Sequence, residues 1–105
     1  KLTSMKLTFV DRFAIKNLIP DQANIIKGML FNSIAKKVNF TPEEIDRHEL
    51  LNEETIINNI TETIDVVFEE SELAVLRERI DEMDQAGTIP LQLIDSYCKI
   101  KNTNV

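Results

Sequence analysis

The sequence predicts an α+β fold made mainly of helices: three N-terminal helices, a β-hairpin and two C-terminal helices, an order also found in winged-helix domains. Three observations lead to this prediction. Capping side chains mark several helix starts, apolar residues recur at steps of three and four, and a β-branched stretch of alternating polarity interrupts that period near the middle. The 105 residues are 43% hydrophobic with two Gly and three Pro, which predicts one globular domain spanning residues 1–105.

The first two helices are predicted from their caps. Thr8 followed three residues later by Asp11 is typical of a capping box, and Pro20 is expected to end the helix that begins there. Asp21 is expected to cap the second helix. Lys27, Lys36 and Lys37 of this helix are expected on or near the solvent side. Its apolar residues recur at helical spacing: Ile26, Met29, Leu30, Ile34 and Val38.

The third helix has the clearest local signal in the chain. Thr41 is the predicted N-cap, Pro42 occupies the first helical position and Glu44 completes a capping box. Phe40 and Ile45 have the spacing of a hydrophobic staple. This helix is expected to be short and to end near residues 50–52.

The hydrophobic period changes after the third helix. Residues 55–60 are rich in β-branched side chains and contain an asparagine pair, and residues 62–68 alternate in polarity. The alternation places Ile64, Val66 and Phe68 on one face. The two stretches therefore predict a β-hairpin with one covered face.

Helical spacing returns from residue 70. Steps of three, four and three form a seam that faces either the core or a partner helix: Leu73, Leu76, Ile80 and Met83. Gly87 is placed to end this helix in the left-handed conformation. A last helix is expected to carry Leu91, Ile94, Tyr97 and Cys98. Residues 1–4 are interpreted as a non-native remnant or a flexible start, and residues 101–105 as a frayed tail.

The charges are divided by position along the chain. Residues 1–40 hold seven Lys/Arg against two acids, a net of +5, whereas residues 41–105 hold five Lys/Arg against sixteen acids, a net of −11. Such a molecule can steer a partner or dock against a copy of itself. The basic helices also contain four lysines that would form a patch if the fold brings them together: Lys16, Lys27, Lys36 and Lys37.

The residue types needed for catalysis or metal binding are sparse. His48 is the single histidine and stands among acids on the third helix, and Cys98 is the single cysteine and lies on an apolar helix face. Residues 82–93 follow part of a calcium-loop pattern, but Ala86 and Leu93 occupy two ligand positions. We therefore predict no catalytic residues, no metal site and no cofactor.

The cellular location is predicted from the cysteine count, the length of the apolar runs and the N-terminal sequence. One cysteine rules out an intramolecular disulfide and is typical of a reducing compartment. The longest uninterrupted apolar runs are about four residues, much shorter than a membrane span. No secretion leader is recognised. A cytoplasmic location is expected, without membrane attachment.

Nucleic-acid binding is the main alternative to protein binding. The predicted order of elements matches winged-helix domains, in which the third helix enters the major groove. Here that helix carries four acids against one Arg over residues 42–49, and phosphates would repel it. A regulator that instead uses the basic N-terminal helices remains the alternative function.

Several short motifs together resemble a family of small uncharacterised proteins encoded by bacteriophages and prophages. They are residues 12–20 (RFAIKNLIP), residues 40–45 (FTPEEI), the strand running into Phe68, the helix with the Leu73, Leu76 and Ile80 spacing, and the late Ser96-Tyr97 and Lys99. The resemblance implies the layout of elements and a phage or prophage setting. It brings no catalytic residues, because the family has no assigned activity.

These observations lead to one functional prediction. The chain is expected to be a non-enzymatic protein-interaction module, an accessory protein of a phage or prophage. It is expected to bind another protein or itself and to have no small-molecule substrate. The seam of Leu73, Leu76, Ile80 and Met83 is the predicted apolar contact, and an ordinary core face is the alternative for the same residues.

Overall fold

A two-stranded antiparallel sheet joins the beginning of the chain to its middle. The computed structural model describes residues 1–50, 52–59 and 62–103. In chain order its elements are β1 Leu2–Thr8, α1 Phe9–Lys16, α2 Ile25–Val38, α3 Pro42–His48, α4 Glu53–Asn58, β2 Thr63–Glu69, α5 Glu70–Ala86, a short 3-10 helix Leu91–Leu93, and α6 Ile94–Asn102. The fold is therefore α+β and mostly helical, as predicted.

The predicted hairpin is wrong, and with it the winged-helix order. Residues 53–58 form α4, because the side chain of Asn52 accepts a hydrogen bond from the Thr55 N–H and caps a helix there. Ile56 of this helix is buried against Phe9. The expected turn falls partly on residues 60 and 61, which lie outside the described residues.

The strand predicted at residues 62–68 is confirmed as β2, but its partner is the start of the chain. Leu2 lies opposite Glu69 and Thr8 lies opposite Thr63 in the antiparallel register. Residues 2–4 belong to β1 and are not a flexible start. At the other end, residues 101 and 102 complete α6, and the last two residues of the expected frayed tail lie outside the described residues.

The core lies between the inner face of this sheet and the helices. Met5 and Leu7 of β1 and Val66 and Phe68 of β2 point inward at alternate positions. Helices α1, α2, α5 and α6 cover them with the following buried side chains: Ala14, Ile15, Phe31, Ile34, Val38, Leu73, Val75, Leu76, Ile80, Tyr97 and Ile100. The seam on α5 is thus part of the core.

The predicted helix starts are mostly confirmed. The capping boxes at Thr8 and Thr41 are both present, and Gly87 ends α5 with φ 68° in the left-handed conformation. Asp21 does not cap α2; the side chain of Asn24 accepts from the Lys27 N–H instead. Helix α1 already ends at Lys16, before Pro20.

Candidate interaction surfaces

Most of the predicted contact seam lies in the core. Leu73, Leu76 and Ile80 are buried, and Met83 packs against the same cluster. These residues therefore form a core face, which was the alternative interpretation of the seam.

Arg12 occupies the most polar environment in the interior. Its guanidinium forms a fork with Glu44, with Nη1–Oε2 at 2.7 Å and Nη2–Oε1 at 2.8 Å, and it also donates to the carbonyl oxygens of Val38 and Asn39. The Phe40 ring lies 4.7 Å from the guanidinium carbon. These contacts join α1, the end of α2 and the start of α3, so the role of Arg12 is structural.

The Arg12 fork holds the pKa of Glu44 at about 2, with a further contribution from the Thr41 N–H. Glu44 is consequently ionised throughout the physiological range. It completes the capping box of α3 at the same time. One carboxylate thus joins a tertiary ion pair to a local helix cap.

Ser96, Asp11 and Lys99 form a group that superficially resembles a catalytic site. The Ser96 hydroxyl donates to Asp11 Oδ1 at 2.7 Å, and Lys99 Nζ donates to Oδ2 at 2.7 Å. Burial raises the pKa of Asp11, but the hydrogen bonds from Lys99, Ser96 and the Thr8 N–H together lower it below its ordinary value. Ser96 and Asp11 are both buried. Their hydrogen bond joins α6 to α1.

Two of the four lysines of the predicted basic patch are paired with acids. Lys37 Nζ lies 2.5 Å from Glu72 Oε1, and Lys27 Nζ lies 2.6 Å from Glu78 Oε1, so acids of α5 compensate both charges. Lys16 lies over the Phe40 ring. Among the ion pairs of the described residues, only Lys16 and Lys36 of these four have no acidic partner.

His48 and Cys98 lie on different elements and contact different residues. The His48 ring packs edge-to-face on Phe9 at 5.1 Å between centroids. Cys98 is exposed and borders a cleft of about 360 Å³ between α5 and α6, lined by apolar residues and by Asp84 and Lys101. Within the described part of the chain, no three His, Cys, Asp or Glu side chains are grouped so that they could hold a metal ion.

Helix α2 carries an apolar surface that faces solvent. Ile25, Ile26 and Met29 are 82%, 75% and 68% exposed and lie on adjacent turns. We call these three residues the α2 patch. Ile26 and Met29 belong to the apolar set that recurs at helical spacing, but the core side of the helix is formed by Phe31, Ile34 and Val38.

The α2 patch is unusual because its apolar side chains are grouped. Single exposed apolar residues are normal on protein surfaces, whereas a contiguous group on one helix face is typical of a contact site. Among the described residues, the other apolar side chains that are more than half exposed, Leu2 and Leu91, lie on different elements. The sequence carried no local signal for this exposure, because adjacent apolar residues on other helices, Ala14-Ile15 and Val75-Leu76, are buried.

Comparison of the chain with protein-family models, with curated proteins and with solved structures finds no match. Among the residues that the structure describes, every helix is too short or too polar to cross a lipid bilayer. The α2 patch is therefore interpreted from its own geometry.

Proposed function

We propose that this protein is a non-enzymatic protein-interaction module that binds its partner through the α2 patch. The observation that carries the proposal is the exposure of Ile25, Ile26 and Met29 on consecutive turns of one helix. Removing such side chains from water on binding contributes about 25 cal/mol per Å² of apolar surface. A partner that covers the patch would recover the hydrophobic free energy that folding leaves unused.

The interior supports a binding role over a catalytic one. Its buried polar groups are already engaged: Arg12 with Glu44, and Asp11 with Ser96 and Lys99. Catalytic groups need access to a substrate, and these groups hold helices together instead. The resemblance of residues 12–20 and 40–45 to small phage proteins supports an accessory role in a phage or prophage setting.

Site-specific photocrosslinking tests the proposal. A photoreactive phenylalanine analogue replaces Met29 in one variant and Asp95, an exposed residue at the start of α6, in the control. After irradiation of the cells that naturally contain the protein, we expect discrete protein adducts from position 29 and none from position 95. Equal adduct yields at the two positions, or no adduct at position 29, would contradict the proposed function.

A further inference from the structure

The outer edge of β1 is partly covered by the protein itself. In an antiparallel pair, the backbone groups of alternate residues point towards the partner strand, and those of the residues between them point away. The carbonyl oxygen of Lys6 accepts from Lys99 Nζ, and the N–H of Thr8 donates to Asp11 Oδ2. The even-numbered residues of β1 therefore turn their backbone groups outward, and α1 and α6 occupy part of that edge.

The outer edge of β2 has free backbone groups along its centre. The N–H of Glu69 donates to the Glu72 side chain and not to β1, so the odd-numbered residues of this strand point outward. Asp65 and Val67 belong to this set. Among the described residues, the backbone N–H and C=O groups of these two residues have no hydrogen-bond partner. The Asp65 side chain is 65% exposed and Val67 is 44% exposed, so solvent reaches this part of the strand.

Such an edge is complementary to one kind of ligand, the backbone of an extended chain. Unpaired N–H and C=O groups along an exposed strand form hydrogen bonds with a strand that is added beside it. Asp65 and Val67 can each exchange both backbone hydrogen bonds with the residue that lies opposite in an antiparallel strand. The unused groups of β2 therefore specify the conformation of the segment that would cover them.

The charges around β2 specify the composition of that segment. Residues 62–70 contain four acids and no Lys or Arg: Glu62, Asp65, Glu69 and Glu70. Among the ion pairs of the described residues, one of these acids has a partner, Asp65 with Lys6 at 3.8 Å between exposed side chains. On the outer face of the sheet, Val67 lies between Asp65 and Glu69. An added strand would be stabilised by an apolar residue beside Val67 and by basic residues two positions before and after it.

We propose that the outer edge of β2 binds an extended segment of a partner protein as a third strand, with an apolar residue beside Val67 and basic residues beside Asp65 and Glu69. The β2 strand of a second copy would bring two acidic strands together, so the partner is a different protein. This surface is separate from the α2 patch, and the inference goes beyond the proposed function because it adds a second contact.

A short synthetic peptide is the probe for this edge. It is about seven residues long, with valine at the centre, lysine two positions to either side and threonine elsewhere, so that it spans the length of β2. NMR spectra of the isotope-labelled chain are recorded as the peptide is added at low salt. The backbone amides of Asp65 and Val67 should shift, whereas that of Ser4 on the β1 edge should stay in place.

A second peptide controls for the charges. It has glutamate in place of each lysine and should bind about tenfold more weakly, because its acids then lie beside Asp65 and Glu69. Shifts confined to β1, no shift at millimolar lysine peptide, or equal binding of the two peptides would overturn the proposal.

Two proline substitutions compare the edges of the sheet. Val67→Pro removes an outward N–H and leaves the ladder with β1 in place, because proline is accepted on edge strands where its nitrogen faces solvent. Binding of the lysine peptide should weaken about tenfold. Ser4→Pro is the matched control, since Ser4 lies directly opposite Val67 and also points outward, but on β1, so binding should stay at the wild-type level. Equal affinities of the two variants would contradict the assignment to β2.

Amide hydrogen exchange tests the same edge without any substitution, and it decides the question if Val67→Pro does not fold. In the free wild-type chain, the N–H groups of Asp65 and Val67 should exchange faster than those of Val66 and Phe68, which are bonded to β1. Excess lysine peptide should slow exchange at Asp65 and Val67. If exchange in the free chain is as slow at Asp65 and Val67 as at Val66 and Phe68, the edge is already covered and the proposal is wrong.

Discussion

Arg12 of α1 is buried where α1 meets the end of α2 and the start of α3, and it donates hydrogen bonds to Glu44 and to the carbonyl oxygens of Val38 and Asn39. A buried charge is tolerated only when it is paired and fully hydrogen-bonded. The planar guanidinium meets that condition, because it can point several donors in one plane.

Arg12→Lys is expected to lower the free energy of unfolding by about 2–3 kcal/mol, since one ammonium cannot reproduce the fork and leaves a buried carbonyl oxygen unpaired. Chemical denaturation measures the change. Arg47→Lys on the exposed side of α3 is the control and should alter stability by less than about 0.5 kcal/mol. Equal losses in both variants would show that the fork adds nothing.

Three carboxylates should make the free energy of unfolding fall as the solution becomes acidic. The pKa values of Glu44, Asp11 and Glu72 are all lowered in the fold, so the unfolded chain binds protons more readily. Their contribution is therefore present above the ordinary pKa values, 3.8 for Asp11 and 4.5 for the two glutamates, and is lost as the pH falls towards the folded pKa, about 2 for Glu44.

Glu44→Gln should cost about 2 kcal/mol at pH 7, because Arg12 loses its charged partner. The difference from the wild type should shrink as the pH falls from 5 to 2, since the wild-type carboxylate is then protonated as well. Urea denaturation at several pH values measures both curves. Parallel curves would mean that the Arg12 contact does not shift the Glu44 pKa.

At the scale of elements, the features that depend on neighbouring residues could be predicted from the sequence. The starts at Thr8 and Thr41 and the stop at Gly87 were predicted, because a cap is formed by side chains within four residues of it. The capping signal at Asn52 was not recognised, because the β-branched residues after it suggested a strand. The Asn52–Thr55 cap instead begins a helix.

The sheet could not be predicted in the same way, because its strands are separated by more than fifty residues. The alternation of Met5, Lys6 and Leu7 is a strand signal, but only pairing with β2 makes it a strand. The exposed face of α2 was missed for a related reason. Spacing shows which side chains share a face, whereas burial depends on α5 packing against the side formed by Phe31 and Ile34.

The strand assignment of β1 leads to a matched pair of substitutions. Leu7→Ala removes a side chain that is 1% exposed and should cost about 2–5 kcal/mol of unfolding free energy. Ser4→Ala, on the outer face of the same strand, should change it by less than about 0.5 kcal/mol. Thermal or urea unfolding compares them, and a negligible loss for Leu7→Ala would contradict the pairing of β1 with β2.

At the scale of the whole molecule, the division of charge along the chain is used within the fold. Four ion pairs join a cation from residues 1–40 to an acid from residues 41–105: Lys6–Asp65, Arg12–Glu44, Lys27–Glu78 and Lys37–Glu72. The basic N-terminal part therefore docks on the acidic remainder of its own chain. Less positive charge is left for an anionic partner than the sequence suggests.

This compensation leads to a prediction about nucleic acid. With a net charge of −6 and two of the four patch lysines paired, the protein should bind mixed-sequence duplex DNA no more tightly than on the order of 10⁻⁴ M at physiological salt. Fluorescence anisotropy with a labelled duplex measures this affinity. Micromolar binding that is lost when Lys16 and Lys36 are changed to Ala would instead favour the regulator.

The central claim is that the apolar face of α2 mediates protein contact, and the methyl groups of that face report on it most directly. Methyl NMR spectra of the isotope-labelled chain are recorded while an unlabelled lysate of the cells that naturally contain the protein is added. We expect the signals of Ile25, Ile26 and Met29 to shift progressively and those of Leu91 and Ile94 to stay in place. Shifts confined to Leu91 and Ile94 would place the contact at the start of α6 and contradict the claim.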